Sequence, residues 1–265
     1  MSEPSFAPPP PRAHRTNILG VGVTHGDIPN ALARIEGWVS SKAKAYVCVP
    51  DVHLIMQCQW DAGLRHILNS ASMTVTDGMP LVWFCRLAGR PKTQRVYGPD
   101  LLLAACEAGL AQGRRHFFYG GADGVAETLA ERLKARYPGL QVAGTYCPPF
   151  RPLSADEEMD VAAQIDAAAP DIVWVGLGAP KQEYWMQRFR GLLKAPVLIG
   201  VGAAFDFHSG AKPQAPKLMQ SAGLEWVFRL ATEPKRLWPR YRKVIPAFLA
   251  GAVLQGLGLR TYVLD

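Results

Sequence analysis

Three runs close a short apolar stretch with glycine and could carry chemistry. They are Thr76-Asp77-Gly78-Met79-Pro80, Tyr119-Gly120-Gly121-Ala122-Asp123-Gly124 and Gly176-Leu177-Gly178-Ala179-Pro180-Lys181-Gln182-Glu183. Glycine lets a backbone approach a phosphate, and the start of a following helix favours an anion. Each run alone also fits a plain connection; together they point to a phosphate-bearing ligand. Asp77 carries two readings, a turn aspartate before glycine or a general base at a ligand crevice. Neither glycine turn matches GxGxxG with an acid about twenty residues on, nor GxxxxGK[ST], so a standard dinucleotide site or P-loop is not expected. No Asp-x-Asp pair occurs, which removes the common metal-diphosphate clamp of sugar transferases, and GxSxG is missing. His14, His25, His53, His66, His116 and His208 are scattered without metal-ligand spacing.

Residue patterning supplies the elements that would position these ends. Ala45–Val49, Met73–Thr76, Arg115–Tyr119, Leu140–Thr145, Asp171–Gly176 and Pro196–Val201 read as strands. His53–Leu68, Gly98–Gly109, Val125–Arg136, Ser154–Ala168 and Pro180–Leu193 read as helices. Strands alternating with helices predict an α/β, Rossmann-like, mostly parallel sheet with helices on both faces. That order places the glycine runs at strand carboxyl ends, where open α/β sheets bind ligands.

The chain has 265 residues, with Lys+Arg 29 against Asp+Glu 22, a net charge of +7. Hydrophobic residues at 49% against charged residues at 19% exclude a disordered charged tail protein. Five of the 22 prolines lie in the first 12 residues, so residues 1–16 read as a disordered arm. The amino terminus lacks the apolar core of a secretory signal, and no run reaches the roughly 18 apolar residues of a membrane span. The five cysteines form no CxxC and read as reduced thiols of a cytoplasmic protein. Residues 17–222 form the expected core, and 223–265 a helical appendage. There, basic residues around 234–243 precede Val244–Leu259, which holds no charge. That run fits a segment lying on a membrane surface, and equally a helix packed on the core.

The ordered series Thr76–Trp83, Arg95-Val96-Tyr97-Gly98-Pro99-Asp100-Leu101, Gly176–Glu183, Gly200-Val201-Gly202-Ala203-Ala204-Phe205-Asp206, and Gly223-Leu224-Glu225-Trp226 through Glu233-Pro234-Lys235-Arg236 resembles the WecG/TagA/CpsF family of bacterial glycosyltransferases. The resemblance runs from about Ile18 to Tyr241. It implies inverting sugar transfer from a UDP-sugar to a polyprenyl-diphosphate-linked glycan, without a metal or other cofactor. The setting it implies is surface polysaccharide assembly at the inner face of the cytoplasmic membrane.

By the same resemblance Asp77 is the general base, Arg95 lines the donor or its leaving group, Gln182 lies near the donor sugar and Asp206 near the nucleoside. Arg229 and Arg236 of the appendage close over the diphosphate and help dock the protein on an anionic membrane. Arginine suits the diphosphate because its fork pairs two phosphate oxygens, which a metal-free site requires. Two positions depart from the family pattern. Asp51 stands where many members carry a sugar-contacting asparagine, which points away from N-acetylmannosamine as donor. Pro239-Arg240 stands where many carry two arginines, which shifts one contact toward Arg242. Two other readings compete: a nicotinamide-dependent oxidoreductase on the same sheet, and a nucleic-acid-binding module. The second is disfavoured because the basic residues abut an uncharged apolar run. Homo-oligomers are compatible with the sequence.

Overall fold

The computed structural model describes residues 15–264. The expected arm lies outside them except for Arg15 and Thr16, which already belong to a strand. That strand, β1 (Arg15–Ile18), pairs antiparallel with β2 (Val21–Thr24) in a hairpin that the sequence pattern did not predict. Then follow α1 (Ile28–Ser41), β3 (Ala45–Cys48), α2 (Val52–Gln57), α3 (Ala62–Ser70), β4 (Met73–Thr74), α4 (Met79–Leu87) and α5 (Gly98–Ala108). The middle of the chain runs β5 (Arg115–Gly120), α6 (Val125–Arg136), β6 (Gln141–Tyr146), α7 (Ala155–Ala167), β7 (Ile172–Gly176), α8 (Lys181–Leu192), β8 (Val197–Gly200) and α9 (Ala204–Ser209). The chain ends in α10 (Lys217–Ser221), α11 (Glu225–Thr232) and α12 (Pro234–Gly256).

The sheet has six strands in the order β4-β3-β8-β7-β5-β6, every pair parallel. Strands buried on both faces read as unbroken apolar runs, as in AYVC, IVWVG and VLIG. Alternate side chains enter opposite cores. Tyr46, Tyr119, Val173 and Leu198 meet α2, α3, α7 and α8, while Val47, Phe118, Trp174 and Ile199 meet α1, α5, α6 and α9. The helices therefore form a layer on each face, as the alternation predicted.

The single helix expected over His53–Leu68 is two. Asp61 starts the second, its carboxylate accepting from the Leu64 N–H at 3.0 Å. All five cysteines are free thiols, and Cys48, Cys58, Cys85 and Cys106 are buried.

The appendage lies on the core. Val244 and Phe248 of α12 join the core that α2 and α3 line. Gln255 ties α12 to the β1–β2 hairpin, taking the Leu19 N–H at 2.9 Å and donating to the Asn17 carbonyl at 2.8 Å. Gly251 lets the helix approach Leu19, whose methyl carbons lie 3.2 Å from where a Cβ would stand. The opposite face exposes Leu249, Val253 and Leu257 at successive i, i+4 positions. The uncharged run thus packs on the core with one face and keeps an apolar stripe outward. Among the described residues no helix is long and apolar enough to cross a membrane.

Candidate active site

All six parallel strands deliver their carboxyl ends to one edge of the sheet. Two of the three glycine-bearing ends meet there through backbone contact. A Cβ at Gly120 would stand 2.6 Å from the Gly176 carbonyl carbon, so β5 and β7 leave the sheet closer together than any side chain permits. Gly178 and Gly202 take positive φ beside this edge.

Asp77 follows β4 along an extended segment held on both sides. Val75 N–H donates to the Cys48 carbonyl at 2.9 Å, and Val96 N–H to the Thr76 carbonyl at 2.8 Å. The Asp77 carboxylate accepts the Gly98 N–H at 2.9 Å, so it caps the first turn of α5 from a distant loop. Its side chain stays partly open to the crevice, yet it is set deep enough that removal from water dominates its titration. Burial pushes the carboxyl up to about 7. The Arg95 guanidinium and the Gly98 N–H pull the other way, while the Glu225 and Asp51 charges add to the rise. The turn reading of Asp77 is met by its contact with Gly98. It holds a loop, and it titrates near neutrality, where a general base works best.

Around it sits a set of charged groups from both core and appendage. Arg95 Nε donates to the Asp77 carbonyl, and its Nη2 pairs with Glu225 Oε2 at 2.6 Å. The guanidinium carbon lies 3.9 Å from the centre of the Tyr97 ring, and the Tyr97 hydroxyl donates to Glu225 Oε1 at 3.1 Å. Arg229, half-buried one helical turn after Glu225, is surrounded by Tyr241, Asp51, Glu225 and Tyr97. Burial works against its charge, but these partners outweigh it and hold the guanidinium above its ordinary value. Arg240 on α12 faces Asp51 and Tyr241, with burial lowering its value. His53 is pushed down chiefly by burial, with Asp51 opposing and Arg240 assisting. Tyr241 meets Trp226 edge-on at 6.1 Å, which packs α12 against α11.

The chain from 16 to 262 matches the model of the glycosyl transferase WecG/TagA/CpsF family. The chain belongs to this family. It is a glycosyltransferase, and the oxidoreductase alternative falls away. An N-acetylglucosaminyldiphosphoundecaprenol N-acetyl-beta-D-mannosaminyltransferase of Bacillus spizizenii is 36% identical over 196 residues, covering 74% of each chain. The protein of the same name in Bacillus subtilis is 29% identical over 203 residues, 77% of each. That of Staphylococcus aureus strain MRSA252 is 24% identical over 237 residues, 89% of this chain and 91% of the relative.

Within this WecG/TagA/CpsF member, Asp51, Asp77, Arg95 and Arg229 come together at the sheet edge. Asp51 doubles as the cap of α2, accepting the Leu54 N–H at 2.9 Å. Gln182 is buried beneath the glycine loops. Its Oε1 takes the Gly202 N–H at 3.0 Å and its Nε2 donates to Glu183 Oε1 at 2.9 Å, so its amide ties the start of α8 to the turn after β8. Asp206 pairs with Lys212 at 2.6 Å beyond β8. Arg236 stands near Arg240, where it pairs with Glu233 one turn back and keeps 49% of its side chain exposed. Sequence reasoning did not single out Tyr97, Glu225, Arg240 or Tyr241 as site residues, although Tyr97 and Glu225 stand inside the quoted runs. What was missing was the contact between runs some 130 positions apart. A surface hollow lies between α7 and the end of α8, lined by Met159, Ala163, Leu192 and Lys194. At the Asp77 crevice, α11 is seated against the core through Glu225, which contacts Arg95 and Tyr97.

Proposed function

We propose that this chain transfers a sugar from a UDP-sugar to a polyprenyl-diphosphate-linked acceptor, with inversion at the anomeric carbon, in cell-surface polysaccharide assembly. The observation that carries the reading is an aspartate titrating near neutrality beside a bank of arginines at the carboxyl edge of the sheet. Asp77 takes the proton of the acceptor hydroxyl as that oxygen attacks the sugar, and the sugar–UDP bond breaks on the opposite side. The negative charge grows on the departing diphosphate, where arginines placed in advance stabilise it. Arg229 is the best placed of them, with Arg240 behind it. Arg95 keeps its Nη1 edge for the donor, and Arg236 reaches from the rim. Asp51 contacts the donor sugar, Gln182 shapes the floor beneath it, and Asp206 takes the nucleoside end. The relatives' names specify a mannosaminyl donor; the carboxylate at Asp51 favours a different sugar here.

The reaction is proposed to need no cofactor. Among the described residues no three His, Cys, Asp or Glu side chains are grouped to hold a metal ion. The cations that face the site, beside the Asp51, Asp77 and Glu225 carboxylates, are guanidinium groups, which perform the same electrostatic task. Added Mg²⁺ or excess EDTA is therefore expected to leave the initial rate of sugar transfer essentially unchanged. Strict dependence on a divalent ion would contradict this arrangement. The decisive experiment is a panel of UDP-sugars offered with a lipid-diphosphate-linked acceptor, reading UDP release and acceptor mass. Release of UDP without a heavier acceptor, or no release from any donor, would sink the reading.

With such an acceptor the enzyme works at the inner face of the cytoplasmic membrane in this reading, attached peripherally through residues 223–264 and without a nucleic-acid partner. Lys235, Arg242 and Arg260 lie exposed alongside the outward stripe of Leu249, Val253 and Leu257. Each basic residue near an anionic leaflet is worth about 1 kcal/mol, and the apolar stripe adds attachment that salt does not screen. Leu249→Glu with Val253→Glu should release the protein from anionic vesicles in a flotation assay while its melting temperature stays close to wild type. Unchanged flotation would leave the stripe to a protein partner, including a second copy of the chain.

A further inference from the structure

Glu225 is the first residue of α11, yet both of its carboxylate oxygens are spent on the core: Oε2 on Arg95 at 2.6 Å and Oε1 on the Tyr97 hydroxyl at 3.1 Å. The ion pair is largely shielded, with 15% and 13% of the two side chains exposed. Arg95 is thereby clamped from three directions: the Asp77 carbonyl on Nε, Glu225 on Nη2, and the Tyr97 ring beneath the guanidinium plane. The neighbouring Asp77 carboxylate is left with the Gly98 N–H as its hydrogen-bond donor. An unclamped guanidinium beside a buried carboxylate pairs with it through two parallel bonds. Such a pair would occupy the oxygens that an attacking hydroxyl needs.

We infer that Glu225 is a positioning residue: it holds Arg95 on the backbone of Asp77 and off its carboxylate, so that seating α11 leaves that carboxylate free for the acceptor. The inference rests on the reading of Asp77 as general base. The groups facing Asp77 all fit it. Arg95, from the segment before α5, favours the charged carboxylate. Asp51, before α2, and Glu225 itself, on α11, disfavour it. Arg229 faces Asp51 and Glu225. A simpler role, an ion pair that only docks α11, makes different predictions.

The test is a titration of the Asp77 carboxyl in the full chain by carbon NMR of labelled aspartate, the resonance identified by its loss in Asp77→Asn. In Glu225→Gln the midpoint should fall by about one pH unit, since a like charge is removed and an opposite one is released toward Asp77. In an Arg95→Gln background the same change should move the midpoint much less. An unchanged or raised midpoint overturns the inference. So does an equal fall in both backgrounds, which would mean that α11 has simply come away. Should the glutamine variant not fold, Glu225→Asp takes its place. Its shorter arm slackens the clamp, so a smaller fall is expected, and no fall counts against the inference. The acid limb of kcat/KM should follow the same midpoints. Because the titration is read without turnover, an active Asp77→Asn protein would defeat the base reading while leaving the effect of Glu225 measurable.

Discussion

Asp77→Asn is expected to lower turnover by about 10²–10⁴-fold, the usual contribution of a positioned general base. Asparagine keeps the shape and can still accept the Gly98 N–H, so donor binding should survive, and a retained Kd for the UDP-sugar with collapsed turnover is the diagnostic pair. Near-normal turnover in the folded variant would return Asp77 to its capping role alone. The wild-type rate should also fall with the ionised fraction as pH drops through about 7, where burial has placed the carboxyl. Stability runs the opposite way. The folded-state value lies above the ordinary aspartate value of 3.8, so Asp77 supports the fold fully only below 3.8. That support is lost as pH rises through about 7. The asparagine variant should therefore melt higher than wild type above neutrality, with the gap closing as pH falls toward 3.8.

Arg229→Ala is expected to cost about 1.5–3 kcal/mol of transition-state stabilisation, roughly 10- to 150-fold in kcat/KM. The reason is its setting, half-buried between Asp51, Glu225, Tyr97 and Tyr241, where solvent does little to screen it. Lysine in its place should recover part of the loss, because a point charge replaces the fork but cannot pair two phosphate oxygens at once. Arg236→Ala is expected to cost far less with a water-soluble acceptor. Its exposed side chain is already paired with Glu233 on the helix surface, and such pairs are worth about 0–1 kcal/mol. Equal losses for the two alanine variants would mean that α12 turns Arg236 inward during the reaction.

Much of the scaffold was legible in the residues. A strand buried on both faces must be apolar throughout, so β3, β7 and β8 announce themselves within a residue or two of their observed ends. Val125–Arg136 is a helix over the same residues that the pattern marked. The β1–β2 hairpin was not legible, because Arg15–Ile18 mixes polar with apolar residues and adjoins a proline-rich stretch. Nor was the break between α2 and α3, since continuous helical spacing hides a cap that only Asp61's contact with Leu64 reveals.

The candidate site divides the same way. Local sequence determined which residues stand at strand ends and in which glycine-bearing runs, because strand, turn and helix start are set by neighbours within a few positions. Asp77 could therefore be singled out with no coordinates, while Arg95 and Arg229 were named only through the family resemblance. That Asp77 caps α5, that Gln182 reaches the Gly202 amide, and that Arg229 is enclosed while Arg236 pairs with Glu233 were decided by the tertiary structure. Titration, burial and ion pairing depend on what lies a few ångströms away in space, and here that neighbour is Glu225, some 130 residues from Arg95 along the chain. No spacing rule reaches that far. The contact exists because α12 buries Val244 and Phe248 on the core and α11 is carried with it into the crevice.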